Sequence, residues 1–396
     1  LFPKTKSGND AIYFCGNSLG LQPIKTKTYV NQELSDWANF GVHGHHEAKH
    51  AWLPYHEFLT DTTANIVGAK PIETVVMNTL TVNLHLMLVS FYRPEGKRSK
   101  ILIEHSCFPS DRYAVESQLR FHGYDPSKHL IILQPQPGEA YVSNEAIEHA
   151  FYQHGDEIAL ALIGSVNYYS GQAYPIKFIT DLAHQYGSLV GFDLAHGAGN
   201  LALKLHEDGP DFAIWCGYKY LNGGPGSLAG CFVHERHAYS YELPRFTGWW
   251  GHNKKSRFKM SPHFEIMAGA EGWQLSNPPI LPMACLLASF ELFELAGMDN
   301  LRLKSLQMGN VFFNLLDELN HPNLKIITPR LEAERGCQIS IQLKDADKAI
   351  FNKITEAGVI ADWREPDVIR IAPVPLYNSF TDIFDFIQIL KGALND

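Results

Sequence analysis

The sequence of 396 residues has no long hydrophobic run, no paired cysteine motif and no excess of positive charge. No apolar run reaches the ~20 residues that a membrane-spanning helix needs, so we expect no membrane span. The 33 Lys and Arg residues against 42 Asp and Glu give a net charge of −9, which argues against non-specific binding to nucleic acid or anionic membranes. The six cysteines lie far apart and form no C-x-x-C pair, which favours reduced thiols over a disulfide framework or a zinc site.

The chain begins with Leu1, Phe2, Pro3 and Lys4 and shows no basic segment followed by an apolar one, as a secretory signal would. We therefore expect a cytoplasmic protein. Hydrophobic residues make up 45% of the chain and charged residues 19%, which predicts a globular and not a disordered protein.

Short apolar segments alternate with helical patterns through most of the first 290 residues. The segments predicted as strands are 100–104, 130–133, 158–163, 189–192, 212–215 and 228–233. Strands that are apolar on both faces are typical of a parallel sheet covered by helices on each side. Near the start of the chain, Val30, Leu34 and Trp37 recur at helical spacing and predict an amphipathic helix.

The character of the sequence changes after Pro278 and Pro279. Two long helical patterns are followed by a β–α–β–β–α ending, which predicts a smaller α/β domain. We expect a large domain over residues 50–290 and a small domain made of residues 1–49 and 291–396.

Lys219 follows one predicted strand and precedes a glycine-rich turn at residues 223–226. A solvated loop lysine is one interpretation. The other is a lysine that forms a Schiff base with a planar cofactor, because glycine lets the backbone approach a ring closely.

Asp193 ends another apolar strand, and His196 follows three residues later. Ligands of open α/β sheets bind beyond the carboxyl ends of the strands, where an Asp can pair with a pyridinium nitrogen. A helix N-cap is the alternative for Asp193 alone. An acid and a lysine at consecutive strand ends are much more specific than either residue.

Residues 78–81 open an amphipathic helix, whose free N–H groups and dipole would suit a phosphate; an ordinary threonine cap is the alternative. Residues 46–50 match H-E-x-x-H, in which His46 and His50 would share one helix face around zinc. That helix would be short and polar, between Gly44 and Pro54, so a zinc peptidase is only a distant alternative. A loose G-x-G-x-x-A at 224–229 leads into a strand and does not fit a dinucleotide fingerprint.

Seven segments resemble the kynureninase family of fold type I pyridoxal-phosphate enzymes, in order and nearly end to end. They are FCGNSLGL at 14–21, LTVNLH at 80–85, FPSD at 108–111, GFDLAH at 191–196, YKYLN at 218–222, SNPP at 276–279 and RIAPVPLYNS at 370–379. The resemblance implies a large domain with a mostly parallel seven-stranded sheet, bound pyridoxal 5'-phosphate, and a homodimer.

The activity that this resemblance implies is hydrolysis of kynurenine or 3-hydroxykynurenine to alanine and anthranilate or 3-hydroxyanthranilate. It also implies roles for individual residues. Lys219 would carry the cofactor and remove the α proton, and Tyr218 would donate a proton near bond cleavage. The implied cofactor-binding residues are Leu80, Thr81, Phe108, Pro109, Ser110, Asp111, Asp193, His196, Tyr218, Lys219, Trp249 and Asn277. Trp249 and Asn277 would come from the partner subunit.

Four residues are implied in substrate binding. Arg370 would clamp the substrate α-carboxylate with its planar fork, unless it forms an internal ion pair with an acid such as Asp362 or Glu365. Asn17, His45 and Asn277 would face the aryl group.

The sequence departs from the family at Gly164, where members usually have a hydroxyl residue. Either Ser165 supplies that hydroxyl from the next position or the contact is absent. Another pyridoxal enzyme of the same class, such as a desulfurase or an aminotransferase, is the nearer alternative function. A desulfurase would need a mobile nucleophilic cysteine, and no cysteine lies in an obvious exposed glycine-rich loop.

Overall fold

The computed structural model describes residues 1–344 and 348–395, with helices and strands alternating through most of the chain. The helices are α1 Thr26–Phe40, α2 Gly44–Glu47, α3 Thr60–Val67, α4 Leu80–Phe91, α5 Pro109–Phe121, α6 Pro126–His129, α7 Asn144–His154, α8 Ile176–Gln185, α9 Leu205–Asp208, α10 Ile280–Ala296, α11 Met298–Leu319, α12 Lys348–Glu356 and α13 Phe380–Asn395. The strands are β1 Ile12–Tyr13, β2 Thr74–Met77, β3 Lys100–Ile103, β4 Leu130–Ile132, β5 Ile158–Gly164, β6 Leu189–Asp193, β7 Phe212–Cys216, β8 Ala229–Val233, β9 Leu324–Ile326, β10 Ile339–Leu343, β11 Val359–Ile360, β12 Asp362–Arg364 and β13 Val368–Ile371.

A seven-stranded sheet in the order β2-β8-β7-β6-β5-β3-β4 forms the centre of the molecule. Its strands pair in parallel from β7 to β4, while β8 runs antiparallel to both of its neighbours. The predicted α/β class with a mostly parallel sheet is therefore confirmed. The predicted strands match the observed ones to within one or two residues.

Helices cover both faces of this sheet, as strands that are apolar on both sides require. On β5, Ala161 and Ile163 pack into one apolar cluster, together with Phe290 of α10. Their neighbours Leu160 and Leu162 pack into the cluster on the opposite face, which α4 and α5 cover. Alternate residues of one strand thus stabilise two separate cores.

The C-terminal part contains a four-stranded antiparallel sheet in the order β12-β13-β10-β9. Residues of α11 and α13 pack on this sheet and enclose a third apolar cluster. Phe14 belongs to that cluster, and β1 pairs in parallel with β11, so the start of the chain is built into this region. The division into domains at residues 50 and 290 stays a prediction.

Helix α1 forms where the sequence predicts a helix, but its apolar stripe is not its buried face. Leu34 is 42% exposed and Trp37 is 64% exposed, whereas Glu33 is buried. The carboxylate of Glu33 accepts hydrogen bonds from the Trp52 indole N–H at 2.9 Å and from the Tyr55 hydroxyl at 3.0 Å. These donors compensate for the burial of the acid, and the apolar stripe is left on the surface of the chain.

Among the described residues, no single helix is long and apolar enough to cross a membrane. Helices α10 and α11 meet the length and hydropathy requirement only as a pair, with a bend of 78° between them.

Candidate active site

The carboxyl ends of the central strands meet at one edge of the sheet, and a partly open cavity lies there. Asp193 ends β6, Glu104 follows β3, and Lys219 follows β7 by three residues. The residues that line this cavity are Leu80, Thr81, Glu104, Phe108, Ser110, Asp111, Gly164, Val166, Tyr168, Asp193, Ala195, His196, Tyr218 and Lys219. The cavity therefore brings together nine of the cofactor-binding residues expected from the sequence.

Lys219 lies between two aromatic rings of the cavity. Its amine nitrogen Nζ is 5.7 Å from the centre of the Phe108 ring and 6.0 Å from the centre of the Tyr218 ring. The turn that carries Lys219 packs tightly on the N-terminal segment, because a Cβ added at Gly20 would lie 2.3 Å from the Lys219 carbonyl oxygen. Only glycine allows such a close approach, so the first residues of the chain help to fix the position of the lysine.

Two helix N-termini face each other at one end of the cavity. The hydroxyl oxygens of Thr81, in the first turn of α4, and Ser110, in the first turn of α5, are 2.9 Å apart. Pro109 occupies the first position of α5 and does not line the cavity. No side chain caps either helix, so both dipoles and the N–H groups of Leu80, Thr81 and Ser110 can bind an anion such as a phosphate.

Three carboxyl groups lie buried on the sheet side of the cavity: Glu104, Asp111 and Asp193. The Asp193 carboxylate accepts a hydrogen bond from the Ala195 N–H at 2.6 Å. Burial, the charge of Asp193 and a hydrogen bond to it raise the pKa of Asp111 well above its usual range. Burial raises the pKa of Glu104 to about 7. Burial raises the pKa of Asp193 as well, but the Ala195 N–H, a hydrogen bond from Asp111 and the positive charge of Lys219 oppose this rise. Of the pair Asp111 and Asp193, Asp193 is therefore better placed to carry the negative charge.

His196 lies in the same wall and is 5% exposed. Burial lowers the pKa of its imidazole well below the usual range, and the positive charges of Lys219, Arg370 and Arg364 lower it further. The ring is therefore neutral at physiological pH and can donate one hydrogen bond and accept another.

The residues of this cavity fit pyridoxal phosphate. His196 Nδ1 and Asp111 Oδ1 are buried and have no hydrogen-bond partner within the described chain, as expected of groups that await a polar ligand. The paired helix N-termini suit its phosphate, Asp193 suits its ring nitrogen, and the amine of Lys219 suits its aldehyde.

Arg370 and Asn17 lie next to this cavity but do not line it. The Arg370 guanidinium donates to the Tyr168 carbonyl oxygen at 2.8 Å and to the Asp362 carboxylate. Asn17 donates to the Gln338 side chain at 2.9 Å, and Gln338 in turn donates to the Tyr168 carbonyl oxygen at 3.0 Å. The internal ion pair weighed as an alternative for Arg370 is thus present in this structure.

The other three expected residues are not brought to the cavity by this single chain. His45 packs edge-on against Trp52, with 5.5 Å between the ring centres. Trp249 is 44% exposed, and Asn277 is exposed as well. The exposure of Trp249 and Asn277 leaves both side chains free to contact another subunit.

At the departure from the family pattern, Gly164 lines the cavity and Ser165 does not. The Ser165 hydroxyl packs against Gly197, where an added Cβ would lie 2.4 Å from it. A Cβ added at Gly164 would lie 2.8 Å from the Glu104 carboxylate. The space beside Gly164 therefore holds an acid, and the hydroxyl of Ser165 does not replace the missing contact.

The H-E-x-x-H segment does not form a metal site. Helix α2 ends at Glu47, and the His50 ring lies 3.3 Å from the buried Glu33 carboxylate, stacked on Tyr29. The His and acid clusters that could hold a metal within the described residues contain neither His46 nor His50. All six cysteines are described, and none lines the cavity, so the nucleophile of a desulfurase is missing there.

Sequence reasoning missed Glu104, Val166, Tyr168 and Ala195 as lining residues. A signal was present for Glu104, which is an acid directly after an apolar strand and is followed at once by a histidine, His105. Tyr168 carries no signal, because nothing local distinguishes it from its neighbour Tyr169.

Comparisons with known proteins agree with this geometry. Residues 301–390 match the family model of the kynureninase C-terminal domain. A kynureninase of Myxococcus xanthus is 55% identical over 391 residues, which cover 99% of this chain and 92% of the relative. A kynureninase of Koribacter versatilis is 53% identical over 393 residues, which cover 99% of this chain and 93% of the relative.

Solved structures share the fold at low sequence identity. A C-DES variant with glycine covalently linked to its PLP cofactor has a TM-score of 0.82 at 16% identity, with 96% of both chains covered. A cysteine desulfurase of Thermococcus onnurineus has a TM-score of 0.78 at 16% identity, with 97% of this chain and 95% of that chain covered. This likeness shows a common fold with pyridoxal-phosphate enzymes and no more.

Proposed function

The chain belongs to the kynureninase family, and from this membership we propose which of its residues carry out the reaction. The protein is a pyridoxal-phosphate-dependent enzyme that hydrolyses a carbon–carbon bond of kynurenine or 3-hydroxykynurenine in tryptophan catabolism, releasing alanine and anthranilate or 3-hydroxyanthranilate. When bound, the cofactor supplies a ring that accepts electrons from the substrate carbon next to the amine.

Lys219 holds the cofactor through its amine and, once the substrate amine has taken that place, removes the proton from the substrate α-carbon. Its amine nitrogen lies 5.7 Å from the centre of the Phe108 ring, inside the cavity that both residues line. Because the lysine amine is held close to the α-carbon, the proton transfer is effectively unimolecular and needs no encounter with a base from solution.

Asp193 keeps a proton on the cofactor's ring nitrogen. The acid is buried beside Asp111, whose raised pKa keeps it protonated and able to donate to Asp193. An ionised Asp193 held by Asp111 and by the Ala195 N–H is a fixed negative charge that favours a cationic ring nitrogen.

The remaining cavity residues position the cofactor. Phe108 would pack against the cofactor ring, and the neutral imidazole of His196, which lines the same cavity, would bind the ring hydroxyl. The first turns of α4 and α5 bind its phosphate through Leu80, Thr81 and Ser110.

Tyr218 donates the proton that bond cleavage requires. Burial raises the pKa of its phenol, so the hydroxyl keeps its proton at physiological pH. Water adds to the γ-carbonyl of the substrate, the Cβ–Cγ bond breaks, and the β-carbon takes up a proton to complete alanine.

Arg370 binds the substrate α-carboxylate, and Asn17, His45 and Asn277 face its aryl group. Arg370 is 1% exposed and its Nε has no hydrogen-bond partner within the described chain, which supports a further anionic ligand.

The enzyme acts as a homodimer in which Trp249 and Asn277 reach the neighbour's phosphate. Two observations support the assembly: both side chains are exposed in the single chain, and the apolar residues Leu34 and Trp37 of α1 have no cover there. A cytoplasmic location stays a prediction from the sequence.

One observation carries this proposal: Lys219, Asp193 and two open helix N-termini line a single cavity. The Lys219→Ala variant should therefore lose turnover while its unfolding midpoint stays close to that of the wild type. Borohydride reduction should attach the cofactor to the wild-type peptide that contains Lys219, as read by mass spectrometry. Lys177→Ala, an exposed change on α8, is the matched control. Normal turnover of Lys219→Ala would refute the assignment.

A further inference from the structure

Asp362 and two arginines form a cluster between the C-terminal sheet and the active-site cavity. Antiparallel pairing of β12 and β13 places Asp362 directly opposite Arg370, and Arg364 follows on β12. One oxygen of Asp362, Oδ2, accepts hydrogen bonds from Arg370, from Arg364 at 3.1 Å and from the Ser18 hydroxyl at 2.6 Å. One carboxylate oxygen thus holds two guanidinium groups and a hydroxyl together.

The charges in this cluster do not balance. Within the described chain, Asp362 is the carboxylate that pairs with Arg364 and with Arg370, and neither guanidinium pairs with a second acid. Neighbouring acids are occupied elsewhere, since Glu365 pairs with Lys348 and Asp367 accepts from Tyr169 and Gln342. One positive charge is therefore left over.

This charge lies beside the cavity. The guanidinium carbons of Arg364 and Arg370 are 6.0 Å and 5.9 Å from the centre of the Tyr168 ring, which lines the cavity. Both arginines help to lower the pKa of His196, which also lines it. The positive field of the pair therefore reaches the space in which the substrate binds.

Each guanidinium also has an unused donor. The Nε atoms of Arg364 and Arg370 are buried and have no hydrogen-bond partner within the described residues. Asp362 Oδ2 already accepts three hydrogen bonds, and two of them come from terminal nitrogens of the Arg364 and Arg370 guanidinium groups. An incoming carboxylate would offer two acceptors and one negative charge, which match what the cluster lacks.

We propose that Arg364 is a second specificity-determining residue for the substrate α-carboxylate, and that Asp362 is the positioning residue that holds Arg364 beside Arg370. This inference rests on the proposed function, because it takes Arg370 as a carboxylate ligand. Binding of an amino acid substrate makes the cluster neutral, whereas an amine without a carboxylate leaves its extra charge uncompensated.

Kinetics of the loaded enzyme test this proposal. Arg364→Met keeps most of the side-chain bulk and removes the charge, so KM for kynurenine should rise about tenfold with kcat within about twofold. Raising the ionic strength should increase KM of the wild type more than KM of the variant, because the lost attraction is electrostatic. Arg330→Met is the matched control, since Arg330 is an exposed arginine with its own partner, Asp317, and should change neither constant.

Two further variants separate the possible failures. Arg364→Lys keeps the charge and should restore KM to within about threefold of the wild type. An unchanged KM in Arg364→Met, or equal KM values in Arg364→Lys and Arg364→Met, would overturn the role of Arg364. If Arg370→Lys still raised KM, the proposed function would stand without this inference; an unchanged KM in Arg370→Lys would overturn both.

Discussion

Glu104 gives the structure a measurable pH dependence. Its carboxyl group is 4% exposed, and burial raises its pKa from 4.5 to about 7, with the charge of Asp193 as a smaller cause. The N–H groups of Glu104 itself and of Gly164 oppose this shift without cancelling it. The folded protein therefore holds a proton on Glu104 over a pH range in which the unfolded chain has already lost it.

The sign and size follow from this difference in pKa. Below pH 4.5 the carboxyl group is protonated in both states and costs little. Between pH 4.5 and pH 7 the unfolded state releases the proton, so stability falls as pH rises, and above pH 7 no further change comes from this group. The difference between a pKa of 4.5 and one of about 7 corresponds to about 3 kcal/mol of stability, since a tenfold change in an equilibrium constant is worth about 1.4 kcal/mol.

Glu104→Gln removes this titration and keeps the shape of the side chain. We expect the stability of the cofactor-free wild type, relative to that of the variant, to fall by about 3 kcal/mol from pH 4.5 to pH 7. Urea unfolding followed by tryptophan fluorescence, at half-unit pH steps, measures it. Glu148→Gln, an exposed change on α7, is the control, and its stability should depend on pH in the same way as that of the wild type. Parallel curves for the wild type and Glu104→Gln would refute the reasoning.

Three other predictions concern the reaction. Asp193→Ala should weaken cofactor binding, measured by titration of the cofactor-free protein, and slow α-proton removal, measured by rapid kinetics. Both effects should be far larger than the shift of the unfolding midpoint, and an unchanged affinity for the cofactor would contradict the role of the carboxylate. Arg370→Lys keeps the charge but loses the fork, so KM for kynurenine should rise about tenfold or more; lower stability at a normal KM would mean that the pair with Asp362 is its whole role. Inactive Lys219→Ala and Trp249→Ala chains should regain activity when mixed, because one site of the hybrid dimer combines an intact Lys219 with an intact Trp249. If subunits are shown to exchange and activity does not return, the active site is not shared between subunits.

The hydrophobic pattern was sufficient to predict the central sheet, because strands buried on both faces must be apolar throughout. The same pattern located Asp193 and Lys219 at the carboxyl ends of strands, where the structure places them around one cavity. Local sequence also pointed to His196 and to the helix start at residues 78–81, and the family resemblance supplied the other cofactor residues.

Tertiary contacts account for what the sequence did not predict. The stripe of Leu34 and Trp37 in α1 indicated a buried face, but three donors at Glu33 outweigh the usual cost of burying an acid. The strand β12 has only three residues and no clear alternation of polar and apolar side chains. Its position opposite β13 could therefore not be predicted, and the ion pair of Asp362 with Arg370 was one of the alternatives left open by the sequence. Glu104 was missed because an acid after a strand is common and gains meaning only beside Asp111 and Asp193.

The pairing of β1 with β11 also has a consequence for synthesis of the protein. Ile12 leaves the ribosome early, but its partner Val359 is made near the end of translation. Until then, the N-terminal segment that carries Gly20 has no strand to hold it against the turn of Lys219. A chain that stops short of residue 359 lacks this strand pairing, so we expect activity only after almost the whole message has been read.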